Sequence, residues 1–242
     1  MWELYDALLD QIRTNDRIQY VRSGESWVLL KTEIGAFGVA AVQEGRRGLP
    51  LCAESCSDMT LRDAAELVKS WDYEKASLGL AAINSVFNIS SHFQDCGEPD
   101  AFLRYREMAA GKKVGVVGRF PYLEKRLQPI CSLYVLERNP GPEDYPDSAC
   151  EYILPDMDIV FITGCTISNK TLPRLLQLSQ NAYTILTGPS TPMSDVLFHY
   201  GVDALCGFCV TDEQSAIAAA QNRQGIFSCG RMVCLEKGSM QQ

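Results

Sequence analysis

Three short apolar strands that each end in a glycine-led turn constrain this chain more than any other feature. Thr184, Ile185 and Leu186 run into Gly188-Pro189-Ser190-Thr191-Pro192-Met193, Val114 to Val117 run into Gly118, and Ile159 to Ile162 run into Thr163-Gly164. An apolar, β-branched run followed by glycine, two prolines and two hydroxyls predicts a buried strand that delivers a stiff polar loop at its carboxyl end. In open α/β sheets ligands bind at that end, so all three turns are expected to face one crevice.

The pattern around these strands extends the argument. Strands at 114–117, 133–136, 159–162, 184–186 and 204–208 alternate with helical stretches at 122–127, 172–178, 194–200 and 212–221. Near-continuous apolar strands separated by helices predict a mostly parallel sheet with helices on both faces, an α/β fold over residues 112–242. The first 98 residues read differently. A helix carries Tyr5, Leu8, Leu9 and Ile12, and three β-rich runs at 18–22, 27–33 and 37–42 follow with short polar connections, which predicts an antiparallel meander. Residues 43–57 read as a loop, because Gly45, Gly48 and Pro50 break any period. Thr60 with Asp63 opens a helix to about Ser70, and a second helix starts near Asp72 and runs to Asn88. A linker then leads to a connecting helix at 99–111, with Pro99 in its first turn and Gly111 at its end.

A chain of 242 residues with 46% hydrophobic content can fill a substantial core. Its net charge of -8 opposes binding to nucleic acid or an anionic membrane surface, which directs attention to a small-molecule ligand. The opening Met1-Trp2-Glu3-Leu4-Tyr5-Asp6 has neither a basic leader nor an apolar signal core, and no apolar run suits a membrane helix, so a cytoplasmic protein is expected. Ten cysteines fall short of a disulfide scaffold and read as buried or free thiols.

Individual motifs carry competing readings. Val114 to Gly118, with Glu137 following at the end of the next strand, has the layout of a nucleotide-binding unit in which a carboxylate holds a ribose diol. The glycine fingerprint is missing, since Arg119, Phe120 and Pro121 follow Gly118, and an altered pocket on the same scaffold fits better. Arg138 would hold an anion or cover Glu137. Thr163-Gly164-Cys165-Thr166-Ile167-Ser168-Asn169-Lys170-Thr171 serves either to cap a helix or to bind a carboxylate or phosphate. Gly188 to Pro192 is a rigid turn on one reading and a set of fixed donors and acceptors on the other. Asn84 and Asn88 share a helix face, either as polar residues at a helix end or as the lining of a pocket. Cys206 and Cys209, with Cys229 and Cys234, imitate metal-site spacing, but Cys206 lies inside an apolar strand and residues three apart on a strand do not share a face. Core thiols are expected there, while Cys52 and Cys56 in a polar loop are expected to be exposed. His92 and His199 have no ligand cluster or triad around them, and hydrolase elbows and phosphate-binding loops are absent.

Gly79-Leu80-Ala81-Ala82-Ile83-Asn84, Val117 to Pro121, Leu136-Glu137-Arg138, Thr163 to Leu172 and Gly188 to Pro192 together resemble the heavy-metal chelation domain family. The resemblance spans nearly the whole chain. It implies a Rossmann-like module after a small α+β domain similar to the N-terminal domain of enolase, both lining one interdomain pocket, with a role in making or handling a metal-chelating compound. Enolase chemistry does not carry over, because the catalytic barrel is missing.

The expected site therefore lies between residues 1–98 and 112–242 and takes a small polar, anionic metabolite. Gly118, Phe120, Pro121, Glu137 and Arg138 form one wall. Thr163, Gly164, Thr166, Asn169 and Thr171, with Gly188, Pro189, Ser190, Thr191 and Pro192, supply contacts to oxygen atoms, and Asn84 reaches across from the first domain. A metal chelate is one such ligand; no protein ligand set for a metal and no nucleic acid or membrane partner is expected, while the cofactor and a homo-oligomer are left open. A nucleotide- or S-adenosylmethionine-dependent enzyme and a noncatalytic thiol carrier of metal are the competing readings.

Overall fold

The computed structural model describes residues 2–43, 56, 59–93, 97–121, 123–221 and 225–238. The loop read at 43–57 and the linker at 88–98 fall partly outside the described residues, as do Cys52 and Tyr122.

The first half contains α1 (Glu3–Asp10) and the antiparallel strands β1 (Ile18–Ser23), β2 (Trp27–Thr32) and β3 (Phe37–Ala41) in that spatial order. Connections this short allow only neighbouring antiparallel pairing. At α2 (Leu61–Glu66), the Thr60 hydroxyl accepts from the N-H of Asp63 at 3.1 Å and donates to its carboxylate at 2.7 Å. Asp72 caps α3 (Tyr73–Phe87) by accepting from the N-H groups of Glu74 and Lys75. Every residue of α3 from Ala76 to Ser85 is buried, as a helix with apolar residues on all sides requires. Close approach depends on missing side chains: a Cβ on Gly79 would collide with the backbone of Val68, and one on Gly38 with the carbonyl of Ala81.

Residues 99–111 form two short helices, α4 (Ala101–Arg104) and α5 (Arg106–Ala109), rather than the single helix expected. Pro99 precedes the capping residue Asp100, and the break falls at Tyr105, whose ring packs 5.8 Å from that of Tyr183. The remaining strands are β4 (Lys113–Val117), β5 (Ser132–Glu137), β6 (Tyr145–Pro146), β7 (Ile159–Thr163), β8 (Tyr183–Thr187), β9 (Ala204–Val210) and β10 (Gly230–Glu236). They form one sheet of order β10-β9-β8-β7-β4-β5-β6, parallel except for β10. Helices α6 (Leu123–Leu127), α7 (Cys150–Ile153), α8 (Cys165–Ser168), α9 (Leu172–Leu178), α10 (Val196–His199) and α11 (Glu213–Gln221) complete the chain. The chain steps outward from β4 to β5 and β6, then returns to the other side of β4 as β7. This is the doubly wound order, with its switch point between β4 and β7.

The two faces of the large sheet bury different residues. Val114, Val116, Phe161 and Cys206 pack with Phe102, Ala109, Leu123 and Leu127. On the other face Val117, Ile162, Leu186 and Cys209 join Leu175, Leu176 and Leu197, and the same cluster continues into Leu8, Leu9, Leu80 and Ile83 of the first half. Cys206 and Cys209 thus lie on opposite faces, and Cys229 and Cys234 are also buried. Cys56, expected to be exposed, is buried in the cluster that holds Leu61 and Leu9. A third cluster ties Leu29 and Val39 to Phe208, Ala216 and Ile226.

Asn88, at the end of α3, is the polar counterpart of these apolar contacts. Its amide donates to the carbonyls of Thr191 at 2.9 Å and Phe208 at 3.1 Å, and its carbonyl accepts from the N-H of Met193 at 2.9 Å. Asn84, one turn earlier, donates to Val39 at 2.8 Å within its own half. Asn88→Ala leaves three buried backbone groups without partners and is expected to cost about 3 kcal/mol, against about 1 kcal/mol for Asn84→Ala. Urea unfolding of the two variants checks this order.

Candidate functional site

At the switch point lies a cleft of about 320 Å³. Its floor is Val117, Gly118 and Leu136 at the carboxyl ends of β4 and β5, and one wall carries Thr163, Thr166, Asn169 and Thr171. Arg119, Glu137, Arg138 and Asn139 form the opposite wall, while Val42 and Gln43, just after β3, cover it from the first half. The turns after β4 and β7 border it, but the third glycine-led turn, after β8, does not: Gly188 and Pro189 line a different cavity, so the three turns do not share one crevice.

The polar groups are already ordered. Glu137 accepts from the N-H groups of Arg119 and Arg138 at 2.7 Å each and from that of Asn139 at 3.4 Å, so its carboxylate fastens the loops after β4 and β5. The Thr166 hydroxyl donates to the carbonyl of Thr163 at 2.7 Å, and Asn169 accepts from the N-H and hydroxyl of Thr171 at 3.1 and 2.7 Å. These bonds stay within the turn: neither Asn169 nor Thr171 caps a helix through its side chain, so the capping account does not explain them, and Thr166, Asn169 and Thr171 all line the cleft. Arg119 turns its guanidinium to Asp144 and Glu124. Arg138 has only a loose ion pair, 3.9 Å from Asp147, and lies 5.9 Å from the centre of the Tyr73 ring, which leaves it the most available cation on the wall.

Other expected residues fall elsewhere. Asn84 is fully buried against Val39 and does not line the cleft. Gly164, Ser190, Thr191 and Pro192 are buried where the two halves meet, and the Ser190 hydroxyl accepts from the N-H of Ala41 at 2.9 Å. Phe120, Pro121, Gly188 and Pro189 line a separate cavity. Cys150, Cys165 and Asp147 border the cleft without having been singled out from sequence: Cys150 sits in a stretch with no strand or long-helix period, and Cys165 is hidden among hydroxyl residues.

Residues 5–87 and 100–234 match two family models that share the description putative heavy-metal chelation. The chain belongs to this family. It is 30% identical over 201 residues to an uncharacterized protein of Methanocaldococcus jannaschii, covering 79% of this chain and 77% of that one. A crystal structure of a protein of unknown function from Desulfitobacterium hafniense superimposes with a TM-score of 0.91 at 38% identity, over 98% of this chain and 99% of that one. A second, from Pyrococcus horikoshii, shares the fold with a TM-score of 0.82 at 21% identity, over 97% of this chain and all of the other.

The donor set at the cleft does not fit a protein-bound heavy metal. Among the described residues no three histidines, cysteines or acidic groups gather as a metal site. Burial, with Asp147 and Glu151 nearby, pushes the Cys150 thiol up to about 12, whereas a metal ligand must be a thiolate. Glu137 uses three of its roughly four acceptor positions on backbone donors, and no second carboxylate, thiolate or imidazole joins it in a metal-binding group among the described residues.

Lys170 joins the cleft wall to the first half. It is the one described non-glycine residue at positive φ, and this turn sends its ammonium to the carbonyls of Ser70 and Ser168 and between the rings of Trp71 and Tyr73, at 5.7 and 5.4 Å. Burial pushes Lys170 down to about 8, against the pull of Asp72. An unfolded lysine keeps its proton to about 10.4, so the unfolded chain binds more protons above pH 8 and stability rises with pH across that window. The stability difference between wild type and Lys170→Met should therefore shift in favour of the wild type from pH 8 to 10 in denaturant titrations; a shift the other way would mean that the carbonyls and rings outweigh desolvation.

Proposed function

We propose that the cleft binds a small polar, anionic metabolite able to chelate metal, and that the protein acts in the synthesis or handling of such a compound. A metal then arrives as part of the ligand. The observation that carries this reading is the position of the cleft: a preformed cavity of about 320 Å³ at the switch point of a doubly wound sheet, with Arg138 on one wall and hydroxyl and amide groups on the other. A wider groove of about 730 Å³, among Glu3, Gln177, Tyr200 and Lys237, borders the first residue of β8 and so lies at the opposite end of the strands.

Within this reading Arg138 pairs with a ligand carboxylate, and Thr163 and Asn169 contact oxygen atoms. Glu137 fixes the loops and keeps acceptor capacity for a hydroxyl or amine, because three N-H groups do not exhaust the roughly four lone-pair positions of a carboxylate. The helix after β4 is only five residues long and no glycine series precedes it, which disfavours a dinucleotide pyrophosphate. Calorimetry of the full-length protein with citrate and salicylate should show saturable binding, and Arg138→Ala should weaken it at least tenfold, since a charge-assisted hydrogen bond contributes about 1.5–3 kcal/mol. Equal affinity in the variant would count against the cleft as the anion site.

A further inference from the structure

The carboxyl edge of the sheet carries a second cavity of about 420 Å³ on the face opposite the cleft. The cleft is floored by Val117 and Leu136, which belong to the core shared with the first half, whereas the second cavity is lined by Ala101, Phe102 and Phe120, which pack on the other face. Its character is also opposite. Phe102, Phe120, Pro121, Pro189, Phe227 and Met232 make an apolar enclosure. The charged members, Asp100 and Arg126, neutralise each other in an ion pair of 2.6 Å.

Gly118, Phe120 and Gly188 lie where the two cavities adjoin. Gly118, at the edge of the cleft, and Gly188, at the edge of the apolar cavity, both sit at positive φ, 97° and 105°. The Phe120 ring stands between them: a side chain on Gly118 would meet it at 3.8 Å, and one on Gly188 at 3.6 Å. Two positions without side chains, the Phe120 ring and the Thr163 methyl, which a side chain on Gly118 would meet first at 2.8 Å, thus form the boundary, with an aromatic pair of Phe102 and Phe120, centroids 5.1 Å apart, behind it. Phe227 adds a face that is 57% exposed at the mouth of this partly open cavity, an arrangement that favours contact with a flat apolar group.

We propose that the two cavities are the two lobes of one site, and that the ligand is amphipathic: a polar anionic head in the cleft, joined to a flat apolar or aromatic group that crosses the boundary beside Phe120 into the second cavity. This rests on the cleft reading above and adds the class of molecule. A polar head alone leaves the second lobe empty. Each additional ring buried there adds affinity in proportion to the apolar area removed from water.

Salicylate and the hydroxynaphthoate with the same ortho hydroxyl and carboxylate differ by one fused ring and test the idea by calorimetry on the full-length protein. The naphthoate should bind about tenfold more tightly than salicylate. That gain should disappear in Phe227→Asp, at a side chain more than half exposed whose inner edge meets Phe208, and independently in Met232→Gln, while Arg138→Ala weakens both probes. Equal affinity for the two probes, both sensitive to Arg138→Ala, would leave the cleft in place and overturn the second lobe. A gain lost in Phe227→Asp but with neither probe sensitive to Arg138→Ala would make the apolar cavity a site of its own and overturn the straddling ligand. No binding of either probe would sink the cleft reading together with this one.

Discussion

The burial of α3 on every side is the constraint on which the rest of the structure depends. A helix so enclosed can carry few polar side chains, and each must find a partner within reach. Asn88 does so by bonding three backbone groups of the second half. Asn84 is satisfied on only one side, since its amide reaches Val39 while its carbonyl oxygen has no partner. Because Asn88 holds the loop after β8, the hydroxyl-rich stretch there becomes part of the join between halves: Ser190 reaches Ala41, and Thr191 is fully buried. Residues with the chemistry of ligand contacts thereby serve cohesion.

The same join shapes the cleft. By holding β3 and α3 against the carboxyl end of the large sheet, it brings Val42 and Gln43 over β4 and β5, and Tyr73 against Arg138. Lys170 adds a second tie through Ser70, Trp71 and Tyr73, next to two residues that line the cleft. The apolar core is continuous from Leu8 and Leu80 through Val117 to Leu197, so relative movement of the halves would disturb both packing and the cleft wall.

Glu137 shows how a familiar layout changes when the neighbouring loop changes. In a dinucleotide fold the carboxylate after the second strand is directed to a ribose, and a glycine series lets the first loop approach phosphate. Here Arg119, Phe120 and Pro121 replace that series, and the N-H groups of Arg119 and Arg138 close on the carboxylate itself. The loop is tied down without a nucleotide, and the Phe120 ring becomes the partition between a polar and an apolar cavity.

The sequence by itself determined the elements whose signal is local. Alternating apolar strands and helices, the caps Thr60 and Asp72, and the antiparallel meander are all set by period and by side-chain to backbone bonds a few residues long, and they suffice for the fold class. That a cavity opens at the ends of β4 and β7 was legible for the same reason, because strand ends follow from the order of elements, whereas the turn after β8 went to a different cavity. Short pieces were not legible: β6 has two residues and α7 and α8 one turn each, too few for a period to show. Only the tertiary structure decided which side of the sheet each loop residue faces. Phe120 and Glu137 come from neighbouring strand ends yet belong to different cavities, and Asn84 and Asn88 share a helix face yet bond within one half and across both. Such assignments depend on contacts between residues more than a hundred positions apart, such as Asn88 with Thr191, which no local pattern encodes.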